Sequence, residues 1–113
     1  MPKVFGIREI ELRPDADPDE YERFCREKLL PEMVLDGWKI YLLRGDRGSR
    51  DGKFAWLFEM ESTDARDRYF PAHDQLSDEM ARWFGEHPDA WGALQPGNFL
   101  EAEDDTDYLD ISG

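Results

Sequence analysis

Few residues in this chain have types and spacing that can do chemistry. His73 stands between Pro71-Ala72 and Asp74, in a break between two helical patterns. A histidine there can serve as acid, base or metal ligand, because its charge changes near neutral pH. The plainer reading is a histidine on a surface loop. His87 precedes Pro88 at a helix end, where a favourable contact with the helix dipole explains it. Arg8 lies inside an apolar strand and is a candidate partner for an anion or a ligand oxygen. Tyr41, Trp56, Tyr69, Trp83, Phe84 and Trp91 form an aromatic set that can wall one cavity for a flat organic ligand. Helically spaced aromatics also read as plain core.

Other chemistries lack their residues. Cys25 is the single cysteine, so no internal disulfide forms. It falls in a helical pattern and reads as a small buried apolar residue, not a nucleophile. Two distant histidines and one cysteine do not make a zinc set, and no metal is expected. The acidic run Glu103–Asp107 lacks the glycine and terminal glutamate of a calcium loop. Gly45-Asp46-Arg47-Gly48 lacks the Gly-Lys-Ser/Thr ending of a phosphate loop. The net charge of −13 opposes binding to nucleic acid or to an anionic membrane. No apolar run approaches a membrane span, and the N-terminus has no signal-peptide pattern, so a cytoplasmic location is expected.

The elements that must position these residues centre on a hairpin, Gly37 to Glu61. Trp38–Arg44 and Phe54–Met60 are aromatic and branched, and the run between them is polar with three glycines. Placing Arg44 opposite Lys53 sets Tyr41 and Leu43 on one face with Phe54, Trp56, Phe58 and Met60. Trp38, Ile40, Leu42, Ala55 and Leu57 then share the other. Both faces are apolar, and 113 residues cover only one of them with helices. A second copy of the chain is the economical cover for the other.

Around the hairpin the chain reads in order. Lys3–Arg13 is a strand whose apolar residues keep no strict parity, which fits burial on both faces or a bulge near Arg8–Glu9. Asp17-Pro18-Asp19-Glu20 starts a helix that runs toward Leu35, with Pro31 bending or stopping it. Ser62 or Thr63 caps a short helix that Pro71 breaks. Another begins at Asp74 or Ser77, with Leu76, Met80, Trp83 and Phe84 at helical spacing. Ala90–Gly97 is a loop or single turn, and a last strand begins at Asn98–Ala102. With no repeat and no linker, residues 1–113 form one domain.

The element order is the βαββαβ pattern of a ferredoxin-like α+β sandwich with an antiparallel sheet. With the Asp17–Leu35 helix, the hairpin GWKIYLLRGDRG…GKFAWLFEME and the helix STDARDRYF, the chain resembles the dimeric α/β-barrel superfamily. That group includes antibiotic-biosynthesis-type monooxygenases, haem-degrading enzymes, muconolactone isomerase-like proteins, stress-response proteins and uncharacterised branches. No subfamily signature is present, and the chain looks most like an uncharacterised branch. The resemblance implies a homodimer in which two sheets close into a barrel. It implies binding of a hydrophobic or aromatic small molecule, in a cofactor-independent monooxygenase or isomerase. In that reading His73 is the acid or base, and Arg8, Tyr41, Trp56, Tyr69 and Trp83 make ligand contacts. Two other readings follow from the same resemblance: a non-enzymatic stress-response or interaction module, and a haem protein with His73 or His87 as axial ligand.

Overall fold

The computed structural model describes residues 2–113. Strand β1 (Val4–Leu12) leads into helix α1 (Pro18–Phe24), which runs on into a π-helical turn at Cys25–Leu29. The hairpin follows as β2 (Trp38–Arg44) and β3 (Phe54–Met60). Three short helices come next: α2 (Thr63–Tyr69), α3 (Asp78–Glu86) and α4 (Pro88–Leu94). Strand β4 (Leu100–Leu109) closes the chain. The sheet is antiparallel throughout, in the order β2-β3-β1-β4.

Local chemistry sets the element boundaries. The Asp17 side chain accepts from Asp19 N at 2.9 Å, and Pro18 fills the first helical position. Ser62 Oγ accepts from Ala65 N at 3.2 Å and starts α2; Ser77 Oγ accepts from Met80 N at 3.1 Å and starts α3. Leu30 N reaches back to Cys25 O at 2.8 Å, which makes the turn before Pro31 π-helical. The first helix therefore ends earlier than Leu35, although Met33 and Leu35 are buried beyond it. Of Ala90–Gly97, expected as a loop or a single helical turn, Ala90–Leu94 belong to α4, which starts two residues earlier because Pro88 restarts the helix directly after α3.

The hairpin register differs by one residue from the expected one. Arg44 pairs with Phe54, not Lys53, and Tyr41 pairs with Leu57. Gly45 sets this closure: its N–H donates to Lys53 O at 2.8 Å, and its carbonyl accepts from Gly52 N at 2.8 Å. A Cβ at Gly45 would collide with the Arg50 carbonyl oxygen, so only glycine closes the loop this way. A slip of one residue exchanges the faces. Trp38, Ile40 and Leu42 accompany Phe54, Trp56, Phe58 and Met60, while Tyr41 and Leu43 accompany Ala55 and Leu57. The irregularity in β1 lies at Glu11–Leu12 against β4, where the partner shifts from Ala102 to Leu100, and not at Arg8–Glu9.

The helices cover one face of the sheet. There Ile10, Tyr21, Cys25, Phe54, Trp56, Met80 and Leu100 make a closed core. Across the other face, Tyr41, Leu57 and Ile7 form one cross-strand row, and Tyr108 stands opposite Phe5. Tyr41, Leu43 and Tyr108 remain 39%, 45% and 54% exposed in the single chain, so this face has no cover among the described residues.

Candidate functional site

The register that buries the core also lines up Leu42, Trp56, Arg8 and Asp105 across the four strands, on the helix side. Arg8 is a charged residue at a core position, 7% exposed. Burying a guanidinium requires partners. Its Nη1 lies 3.2 Å from both Glu103 Oε2 and Asp105 Oδ2, and its Nε donates to Leu94 O at 2.9 Å. Leu94 is the last residue of α4, so Arg8 satisfies a helix-end carbonyl that has no partner within the helix.

The carbonyl before it is held in the same way. Tyr21 OH donates to Ala93 O at 2.7 Å and accepts from Trp56 Nε1 at 3.2 Å. A continuous polar chain, Trp56–Tyr21–Ala93 and Leu94–Arg8–Asp105, thus ties α4 to α1 and to strands β3, β1 and β4. Burial raises the Tyr21 phenol above its ordinary value, and it stays a neutral donor. Burial likewise pushes the Cys25 thiol up to about 12, so this cysteine is protonated packing and no nucleophile.

Beside this chain is a cavity of about 250 Å³. Its floor is the sheet, through Trp38, Phe58, Met60, Arg8, Asp105 and Asp107. Phe84, Trp91, Leu94 and Gln95 wall it from α3 and α4, and the segment Phe70–Asp74 with Leu76 forms the remaining side. In that segment Gln75 N donates to Ala72 O at 3.0 Å, closing a turn with Asp74 at φ 59°. Aspartate tolerates this left-handed conformation better than most residues. The turn sets His73 at its corner, with Nε2 3.3 Å from Asp74 Oδ2.

His73, Asp74 and Asp105 each bring one donor atom to within 4.8 Å of the others. The guanidinium of Arg8 beside Asp105 opposes a cation at this point. Burial raises the Asp105 carboxyl above its ordinary value; Arg8 pulls against this, and Asp107 and Glu103 add to it. The polar end of the cavity therefore holds a donor, Arg8, and two proton-exchanging groups, His73 and Asp105. Asp74, Gln95 and Asp107, the last paired with Arg66, add further polar groups, and the remaining walls are aromatic and aliphatic.

Of the residues expected at a site, Arg8 and His73 meet in this cavity. Tyr41 does not, because the one-residue change of register places it on the opposite sheet face. Trp56 is fully buried in the core with its N–H on Tyr21, so it offers a ligand nothing. Tyr69 is buried and its OH accepts from Asp36 N at 2.9 Å, which leaves it outside the lining. Trp83 stacks on His87 with ring centroids 4.2 Å apart. His87 in turn holds Trp83 O through Nδ1 at 2.8 Å and lies outside the lining, so it offers no axial ligand to the cavity. Phe84 and Trp91 do line it. Asp105 escaped the sequence reading because it lies in an acidic run; the signal was the lone arginine in β1, which demands a carboxylate on the next strand. No helix among the described residues is long and apolar enough to cross a membrane.

No family model matches the sequence, and no curated protein does. Solved structures do. A DABB family protein with a ferredoxin-like fold from Mesorhizobium loti superposes with a TM-score of 0.61 at 15% identity, covering 98% of this chain and 99% of that one. A NIPSNAP family protein from Agrobacterium tumefaciens gives 0.61 at 17% identity, over 97% and 96%. A dimeric protein of unknown function with a ferredoxin-like fold from Bacteroides fragilis gives 0.54 at 16% identity, over 95% of each. The chain has the ferredoxin-like fold. Identities this low carry the fold and nothing of the chemistry.

Proposed function

We propose that this protein is a homodimer that binds a hydrophobic or aromatic small molecule in the cavity between its sheet and α3–α4. The observation that carries the reading is the cavity itself: about 250 Å³, with aromatic and aliphatic walls and a polar side that includes Arg8, His73 and Asp105. Pockets of this make-up hold flat organic molecules by apolar contact and orient them by a few polar groups. Proton transfer is the chemistry the polar end supports. His73 at the mouth takes or delivers a proton, and Asp105, its carboxyl raised by burial, sits within reach of the same ligand atom. Removing a proton from such a ligand is the step shared by an isomerase and a cofactor-independent oxygenase.

The dimer rests on the uncovered sheet face and on the dimeric ferredoxin-like proteins of the same fold. Two such faces packed together bury the Tyr41, Leu43, Leu57 and Ile7 cluster on both chains. Native mass spectrometry tests both parts. The purified protein incubated with uncharged bicyclic aromatics is expected to fly as a dimer with one compound per chain. The variant Ala72→Trp, which puts a large ring at the cavity edge, is expected to lose the compound and keep the dimer. A bare monomer removes the pairing; equal retention by the variant removes the cavity.

A further inference from the structure

The cavity ligand has more definable chemistry than its shape alone provides. Arg8 is nine-tenths buried, stands in the cavity lining, and has three nitrogens. Two are committed: Nε to Leu94 O, Nη1 to Glu103 and Asp105. Nη2 is buried and has no acceptor among the described residues. A buried charged donor without a partner is among the costliest states a folded chain tolerates, and native proteins leave few of them. Here the backbone makes no provision for it. Leu94 O is taken by Nε, and the neighbouring Ala93 O is taken by Tyr21.

We infer that the ligand of this cavity carries an uncharged carbonyl oxygen which accepts from Arg8 Nη2, and that Arg8 is the specificity-determining residue. This rests on the cavity reading above. An oxygen is required because Nη2 only donates. The oxygen belongs to a neutral group because of what surrounds it. Glu103 and Asp105 already balance the guanidinium at 3.2 Å, and Asp107 and Asp74 stand in the same lining. Asp67 and Arg66 complete the charges of the lining, and Arg66 is paired with Asp67 at 3.0 Å and with Asp107 at 3.5 Å. A ligand carboxylate would add one more negative charge to five and meet two arginines that are both already paired. A ketone or aldehyde oxygen gains the hydrogen bond without that repulsion. The aromatic walls take the rest of such a molecule. With its oxygen held by Arg8, the carbons next to the carbonyl come under His73 and Asp105. Those carbons bear the acidic hydrogens of a carbonyl compound, and a donor on the oxygen stabilises the charge that their removal creates.

The test compares three near-isosteric probes on the full-length protein by calorimetric titration: naphthyl methyl ketone, ethylnaphthalene and naphthoate. The ketone is expected to bind about tenfold or more tightly than ethylnaphthalene, the worth of one hydrogen bond to a charged donor. Naphthoate is expected to bind more weakly than the ketone. In Arg8→Lys, which keeps the charge facing Glu103 and Asp105 but loses the fork, the ketone's advantage is expected to vanish. The infrared stretch of an isotope-labelled ketone carbonyl is expected to fall on binding to the wild type and not to the variant. Should the variant fail to fold, the order of the three probes and the carbonyl shift in the wild type decide alone. Equal binding of ketone and ethylnaphthalene overturns the inference and leaves the cavity standing. Tightest binding of naphthoate overturns it in favour of an anion site. Binding of none of the three overturns the cavity reading and the inference together.

Discussion

Replacing Tyr21 by phenylalanine removes one oxygen and breaks two buried hydrogen bonds. Tyr21 OH donates to Ala93 O at 2.7 Å and accepts from Trp56 Nε1 at 3.2 Å, and both aromatic residues are fully buried. The ring keeps its edge contacts with Phe54 and Phe99, so packing is unchanged. What remains is a buried indole N–H and a helix-end carbonyl, each without a partner. Such orphaned groups cost about 1–3 kcal/mol apiece, so Tyr21→Phe is expected to destabilise by about 2–6 kcal/mol. Against a total of about 5–15 kcal/mol for a domain, that is a large fraction. Urea unfolding at matched protein concentration measures it, as a lowered midpoint with an unchanged slope. Amide exchange in Pro88–Leu94 is expected to quicken, because Ala93 is one of the two carbonyls by which α4 is moored. A loss below about 0.5 kcal/mol, the size of an ordinary surface change, would refute the claim that this polar chain anchors the helix.

Asp105→Asn tests the buried carboxyl. Its pKa is raised in the folded chain, so folding favours the protonated acid; the stability this gives is present below the ordinary value of 3.8 and is lost as pH rises through the folded value. The variant is therefore expected to gain stability relative to the wild type as pH rises from acid to neutral; a difference in urea midpoint, variant minus wild type, that stays constant or falls over that range contradicts the burial argument. Leu57→Lys tests the open sheet face. Leu57 lies between Tyr41 and Ile7 in the cross-strand row, and a lysine there reaches water in a single chain but not in a face-to-face pair. Sedimentation is expected to show a dimer for the wild type and a folded monomer for the variant; a variant that stays dimeric moves the interface elsewhere.

Much of the fold was legible because it rests on short-range chemistry. Asp17 with Pro18 announces one helix start, Ser62 and Ser77 are each one of two candidates for the next two, and the hairpin strands announce themselves by their aromatic and branched residues. The site was legible only in part, because its assembly depends on register. Moving the hairpin by one residue carried Tyr41 out of the cavity and brought Trp38 into it, and nothing within either strand distinguishes the two pairings: both faces are apolar. The choice is made in the loop, where Gly45 alone can approach the Arg50 carbonyl. Asp105 shows the same dependence. Within Glu103–Asp107 the four carboxylates do not differ chemically from one another, and solvation of all four is the natural reading. What singles out Asp105 is that β4 pairs with β1 so as to set it opposite Arg8. A lone arginine among Val4, Gly6 and Ile10 on a buried face is thus the readable half of the site. Burying that charge requires carboxylates on the adjacent strand, and the alternation of β4 supplies Glu103, Asp105 and Asp107 on that face while Asp104 turns to the other.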